Sequence, residues 1–115
     1  MKLFSYSSCA TCRRAINWLK SNEIDFELID ILTHPPSPDL LISASEVFGD
    51  RKYLLNTSGV AYRSIGAEIV KNMSDNEFFD NLFKEPKLIK RPFLYKQTNC
   101  FLVGFKEEKW CNKLL

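Results

Sequence analysis

The sequence predicts an α/β fold, and three observations carry that prediction. The first thirty residues read strand, helix, strand, at a spacing that suits a parallel crossover. A block of helical patterns follows, with its own caps. The last third reads as two strands joined by a short polar turn, then a closing helix. With 115 residues, 45% of them hydrophobic and nine of them Phe, the chain is expected to form one domain over residues 1–115 with a substantial core.

Each element has a local cause. Residues 2–6, "KLFSY", are apolar and aromatic enough for a short strand. "SSCAT" breaks that pattern with small residues. From there Cys12, Ala15, Ile16 and Leu19 recur at helical spacing, so a helix runs to "KSNE". "FELIDI", residues 26–31, is the second strand. Ser37 then caps a helix with Pro38 in its first position and Asp39 in its first turn, and Leu40, Leu41, Ala44, Val47 and Phe48 form its apolar face. Gly49 suits its C-terminal stop. "RKYLL" reads as a short helix and "NTSG" as a turn, with another helix nearby. In "SDNEFFDNLFKEP", Ser74 and Glu77 match a capping box, and Pro86 marks the end. "RPFLY" and "CFLVGF", separated by "KQTN", predict an antiparallel hairpin. "KEEKWCNKLL" closes the chain as a helix with Trp110 and Leu114 on one side. No internal repeat, low-complexity segment or linker interrupts this order.

Composition narrows the function. A formal charge of +2, with signs mixed along the chain, does not suggest broad binding to nucleic acid or membranes. There is no apolar run of about 18 residues to span a bilayer, and the N-terminus lacks a signal-peptide pattern. The expected location is the cytoplasm and the expected state a monomer. Structural disulfides are rare in that compartment, so the four cysteines need a catalytic, metal-binding or packing explanation.

Cys9 and Cys12 stand as C-A-T-C where the first strand gives way to a helix. The first-turn amides of a helix lack internal partners and carry partial positive charge. A thiolate placed there is stabilised, and its pKa falls from about 8.5 towards roughly 3.5–7.5. Cys9 is the candidate exposed nucleophile. Cys12, one turn further in, is placed to resolve a mixed disulfide on Cys9. Arg13 and Arg14 lie where the helix dipole disfavours cations, by about 0.3–1 kcal/mol. They favour a thiolate or an anionic substrate beside Cys9, unless they merely point into solvent. Zinc fits less well: it takes four grouped ligands, whereas Cys100, Cys111 and the single His34 stand apart. Those two cysteines read as small apolar residues, and no resident metal or cofactor is expected.

The pieces "CATCRRAINWL", "LLNTSGVAYRSIG", "EPKLIKRPFL" and "LVGFKEEKW" together resemble the arsenate reductase/Spx family of thioredoxin-fold proteins, from near the N-terminus to near the C-terminus. The resemblance implies a thioredoxin-like (glutaredoxin-like) fold: a four-stranded mixed sheet, helices on both sides, and a helical insertion between strands 2 and 3. It implies that Pro92 is the cis-proline facing the active-site cysteine, and that Arg91 is the family's anion-binding arginine; a guanidinium can hold an oxyanion or pair with a thiolate.

The resemblance divides at the remaining positions. Glutaredoxin-coupled arsenate reductases keep a non-cysteine where this chain has Cys12. They use two further oxyanion arginines, which align here near Asn56 and Gly104; Arg63 in "VAYRS" is the candidate substitute. The C-x-x-C pair resembles instead the Spx and MgsR branch, in which the dithiol is a disulfide switch and the partner is the C-terminal domain of the RNA polymerase α subunit. The expectation is a thiol–disulfide redox protein that reduces a disulfide or oxyanion and is restored by an external thiol system, glutathione/glutaredoxin or thioredoxin. The rivals are a redox-sensing transcriptional regulator and an arsenate reductase proper.

Overall fold

The computed structural model describes residues 1–97 and 99–115. Strand β1 (Lys2–Ser5) leads into helix α1 (Ala10–Ser21) and strand β2 (Glu27–Asp30). The insertion comprises α2 (Pro38–Phe48), a 3₁₀ turn (Arg51–Leu54), α3 (Val60–Ile65), α4 (Ala67–Lys71), α5 (Asp75–Lys84) and a second 3₁₀ turn (Pro86–Leu88). Strands β3 (Phe93–Gln97) and β4 (Cys100–Val103) and helix α6 (Glu107–Leu114) complete the chain. The sheet order is β2-β1-β3-β4, with β1 parallel to β2 and antiparallel to β3. The β3–β4 pairing is antiparallel, as the two apolar runs predict. Of the expected "KQTN" turn, Thr98 lies outside the described residues.

Period-two alternation decides which side each strand residue serves. Phe4, Phe93 and Phe101 face a core shared with the insertion, where Leu41, Ala44, Leu54, Phe78, Phe79 and Leu82 are buried. Their neighbours Leu3, Leu94 and Leu102 face the opposite side and meet Ala15, Trp18 and Leu19 of α1 and Trp110 of α6. Burying each such side chain contributes roughly 1.5–3 kcal/mol. Both faces of β3 and β4 are therefore covered, which explains why they read as near-continuous apolar runs.

Local chemistry sets the helix ends. Ser37 caps α2, its Oγ accepting from the Leu40 N–H at 3.2 Å. Gly49 ends that helix at φ 88°, a left-handed conformation that costs glycine little. The Ser74 and Glu77 capping box forms in both directions, at 3.2 and 3.0 Å.

Three sequence expectations shift. Trp18 is buried in α1 while Ile16 is only partly covered, because α6 brings Trp110 against Trp18 with ring centroids 6.1 Å apart. Val47 leaves the buried face of α2; Leu41 and Ala44 hold it. "FELIDI", expected as a strand over residues 26–31, is shortened to Glu27–Asp30, pairs only with β1 at the sheet edge and leaves Leu28 57% exposed. The apolar density of that segment is used just beyond it, where Ile31 is fully buried.

Candidate active site

Cys9 is the N-cap of α1. Its backbone is extended (φ −97°, ψ 116°), its N–H donates to the Tyr6 carbonyl at 3.0 Å, and its carbonyl accepts the Arg13 N–H at 3.1 Å. Its Sγ takes the place of the usual capping oxygen, accepting the Cys12 N–H at 3.4 Å. The first turn of α1 holds no acidic residue, whereas α2, α5 and α6 begin with Asp39, with Asp75 and Glu77, and with Glu107 and Glu108. A negative charge at the start of α1 is left for the sulfur to supply.

The two thiols are driven apart. Partial burial pushes Cys9 up, but donation from the Cys12 side chain and N–H, the Arg91 charge and the Thr11 N–H together hold it below the ordinary thiol value. Burial pushes Cys12 up. The Tyr6 N–H and the Ser5 hydroxyl oppose that shift, while its hydrogen bond to Cys9 and the Cys9 charge reinforce it, so Cys12 is raised. Cys12 is fully buried and Cys9 half-exposed. One thiol is thus accessible and readily ionised, and the other is a sheltered proton carrier one turn away.

Arg91 comes to this thiol from the far end of the chain. The bridge between Leu55 and Ile89, with the Lys90 N–H donating to the Leu54 carbonyl at 2.7 Å, fixes the approach to β3. The Arg91–Pro92 peptide bond is cis. The guanidinium lies 5.3 Å from the centre of the Tyr6 ring and donates from Nη1 to the Lys87 carbonyl at 3.1 Å. Its Nε is shielded from solvent and has no hydrogen-bond partner among the described residues. An unpaired, buried, charged donor is costly.

Beside Cys9 runs a groove of about 790 Å³. Arg91 lines it, as do Asn56 and Gly104, the two positions where the resemblance would place arginines. Asn56 is held by its own bonds, Nδ2 to the Lys87 carbonyl at 3.3 Å and Oδ1 from the Ser58 N–H at 3.3 Å. Gly104 has φ 64°, and a Cβ there would stand 3.1 Å from Lys90 Cε. A longer side chain at this position would meet both backbone strain and the lysine.

The other arginines separate. Arg13 is exposed and turned back to the Ser7 carbonyl at 3.1 Å, and it does not line the groove. Arg63 likewise stays away, donating to the Ser58 carbonyl at 3.0 Å. Arg14 lines the groove in their stead, joined by Lys90, Lys106 and Lys109. Of these four only Arg14 was singled out from the sequence, beside Arg13; the three lysines were not. A signal existed for all three: Lys90 adjoins Arg91, and Lys106 and Lys109 stand three apart at the start of a helix, on one side of it. Cys100 and Cys111 are half-buried in β4 and α6 and do not line the groove.

Comparison with known proteins agrees with this architecture. The model of the ArsC family matches residues 4–112. The chain is 36% identical over 112 residues to the uncharacterized Bacillus subtilis protein YusI, covering 96% of this chain and 94% of YusI. It is 31% identical over 108 residues to the global transcriptional regulator Spx of Streptococcus pyogenes, covering 93% of this chain and 79% of Spx. Among solved structures, a chain described as a possible arsenate reductase from Streptococcus mutans superposes with a TM-score of 0.84 at 33% identity, covering 96% of each chain. Matched along nearly its whole length in sequence and in structure, this thioredoxin-like chain belongs to the ArsC family.

Proposed function

We propose that the protein is a thiol–disulfide redox protein in which Cys9 is the nucleophile and Cys12 the resolving thiol. One observation carries the reading: a half-exposed thiol caps a helix that lacks first-turn carboxylates, and the backbone N–H of the fully buried Cys12 donates to that sulfur at 3.4 Å. The Cys9 thiolate attacks one sulfur of a substrate disulfide, forming a mixed disulfide and expelling the other half as a thiolate. Cys12 then attacks Cys9 Sγ and gives up its proton. The bound half leaves as a thiol, and the two electrons taken from the dithiol remain with the substrate. Two equivalents of external thiol, from a glutathione/glutaredoxin or thioredoxin system, restore the pair. Arg91 supports the thiolate by its charge and, as part of the groove lining, attracts an anionic group on the substrate.

Peptide mapping by mass after mild oxidation tests this reading. The expected product has lost two hydrogens, both located in the Cys9–Cys12 peptide. A Cys9 adduct with glutathione as the stable end point would show that Cys12 does not resolve.

A second reading rests on the 31% identity to Spx. In it the same disulfide switches affinity for the C-terminal domain of the RNA polymerase α subunit. Titrating that domain with reduced and with oxidised protein decides it, and equal affinities remove the switch. Arsenate, supplied with the thiol system to the same preparation, tests the oxyanion alternative.

A further inference from the structure

We propose that the groove beside Cys9 selects disulfides flanked by carboxylates, and that its occupant is an acidic peptide segment bearing the oxidised cysteine of another protein. The proposal deepens the redox reading above and rests on it.

The charge around the groove is segregated. The chain is nearly balanced, with 16 basic and 14 acidic residues, yet Arg14, Lys90, Arg91, Lys106 and Lys109 all line the groove and, among the described residues, no Asp or Glu does. Glu107 and Glu108 share the first turn of α6 with Lys109 but are not part of the lining. Three separate segments supply the cations: α1, the approach to β3, and the start of α6. Low-dielectric walls lined by one sign of charge concentrate ligands of the other.

The shape argues against a lone small anion. A volume of about 790 Å³ falls within the roughly 300–1,000 Å³ of pockets that take drug-sized ligands. Three of the five cations are lysines. An arginine fork converges on one planar or tetrahedral anion, whereas a lysine is a mobile, hydrated point charge. Lysines spread along a groove suit several carboxylates on a flexible chain. Phe105, partly exposed and backed by the buried Trp110, adds an apolar contact against which side-chain methylenes of such a chain can lie. Trp110 is fixed there by donation from its Nε1 to the Gly104 carbonyl at 3.1 Å.

Peptides of equal length supply the test, each carrying one cysteine as a mixed disulfide with a neutral thiol and flanked by Glu, by Gln or by Lys. Reduction by the intact protein is followed with a coupled thiol system at low and high salt. The expected kcat/KM is about tenfold higher for the Glu peptide than for the Gln peptide, as several exposed ion pairs would supply. The Lys peptide is expected to be slowest, the difference should lie in KM, and it should shrink as salt rises. Lys106→Glu with Lys109→Glu is expected to bring the Glu-to-Gln ratio to or below one, while Lys20→Gln, at the far end of α1, leaves the ratio unchanged. Equal rates for the Glu and Gln peptides in the unaltered protein would overturn the proposal and leave the redox reading standing. No reduction of any peptide would overturn both. Glutathione disulfide reduced as efficiently as the Glu peptide would assign the carboxylate preference to a small thiol and overturn the peptide occupant.

Discussion

The two walls that meet at Cys9 are built in different ways. One is the first turn of α1, where the cap, the N–H bond to sulfur and the buried partner thiol all come from residues 9–12. The other collects Lys90 and Arg91 from one segment, Gly104 from the end of the hairpin and Lys109 from α6. Thiol reactivity is therefore largely a local property of one turn, with a tertiary contribution from Arg91. The groove proposed for recognition is assembled by the sheet from residues far apart in sequence. The contrast implies that changes in the first wall alter chemistry, and changes in the second alter what is bound and how far the thiolate is supported.

The largest effect is expected from Cys9→Ser, which should bring disulfide reduction down to the uncatalysed rate. Cys12→Ser should keep the first attack and stall as a mixed disulfide, visible as a stable mass adduct. If Cys9→Ser retained the rate, the local wall would not be the reacting one.

The tertiary contribution is tested next. Because Cys9 is held below the ordinary thiol value, it remains thiolate at lower pH than a free cysteine and loses reactivity only as pH falls through that depressed value. Alkylation followed against pH should show this early inflection, with Cys12 reacting later and at higher pH because it is raised. Arg91→Gln removes one lowering charge, so the Cys9 inflection should move upward and alkylation at neutral pH should slow several-fold. An unmoved inflection would make Cys9 activation wholly local.

Ser74→Ala lies in neither wall. It breaks the capping box of α5 and should cost about 1 kcal/mol in denaturant unfolding, with the Cys9 pH profile unchanged. The smallest effect is expected for Arg13→Ala, within about twofold for alkylation of Cys9. Its side chain is occupied with the Ser7 carbonyl and is not among the groups that shift Cys9.

Legibility in the sequence follows the same division. Helix caps at Ser37 and Ser74, the stop at Gly49 and the thiol cap at Cys9 are short-range hydrogen-bond chemistry, and the sequence states them directly. The apolar runs of β3 and β4 are legible as strands, but which core takes Phe93 and Phe101 and which takes Leu94 and Leu102 is not, because both sides of these strands are apolar. The choice between Arg13 and Arg14 was not legible. Adjacent residues on a helix point about 100° apart, and which of them faces a groove depends on what lies across it. The exposure of Leu28 escaped for a related reason: an edge strand and a central one can carry the same residues.

What the sequence by itself determined is a set of local commitments: a dithiol at a strand-to-helix junction, the caps, and the apolar strand runs. Each is settled within one turn or one strand, because backbone hydrogen bonds and side-chain period act over a few residues. What only the tertiary structure decided is the electrostatic setting of that dithiol. Arg91 and the lysines reach it because the sheet order β2-β1-β3-β4 places the approach to β3 and the exit of β4 beside the end of β1. Strand pairing is a contact between distant segments, and charge acts through space rather than along the chain.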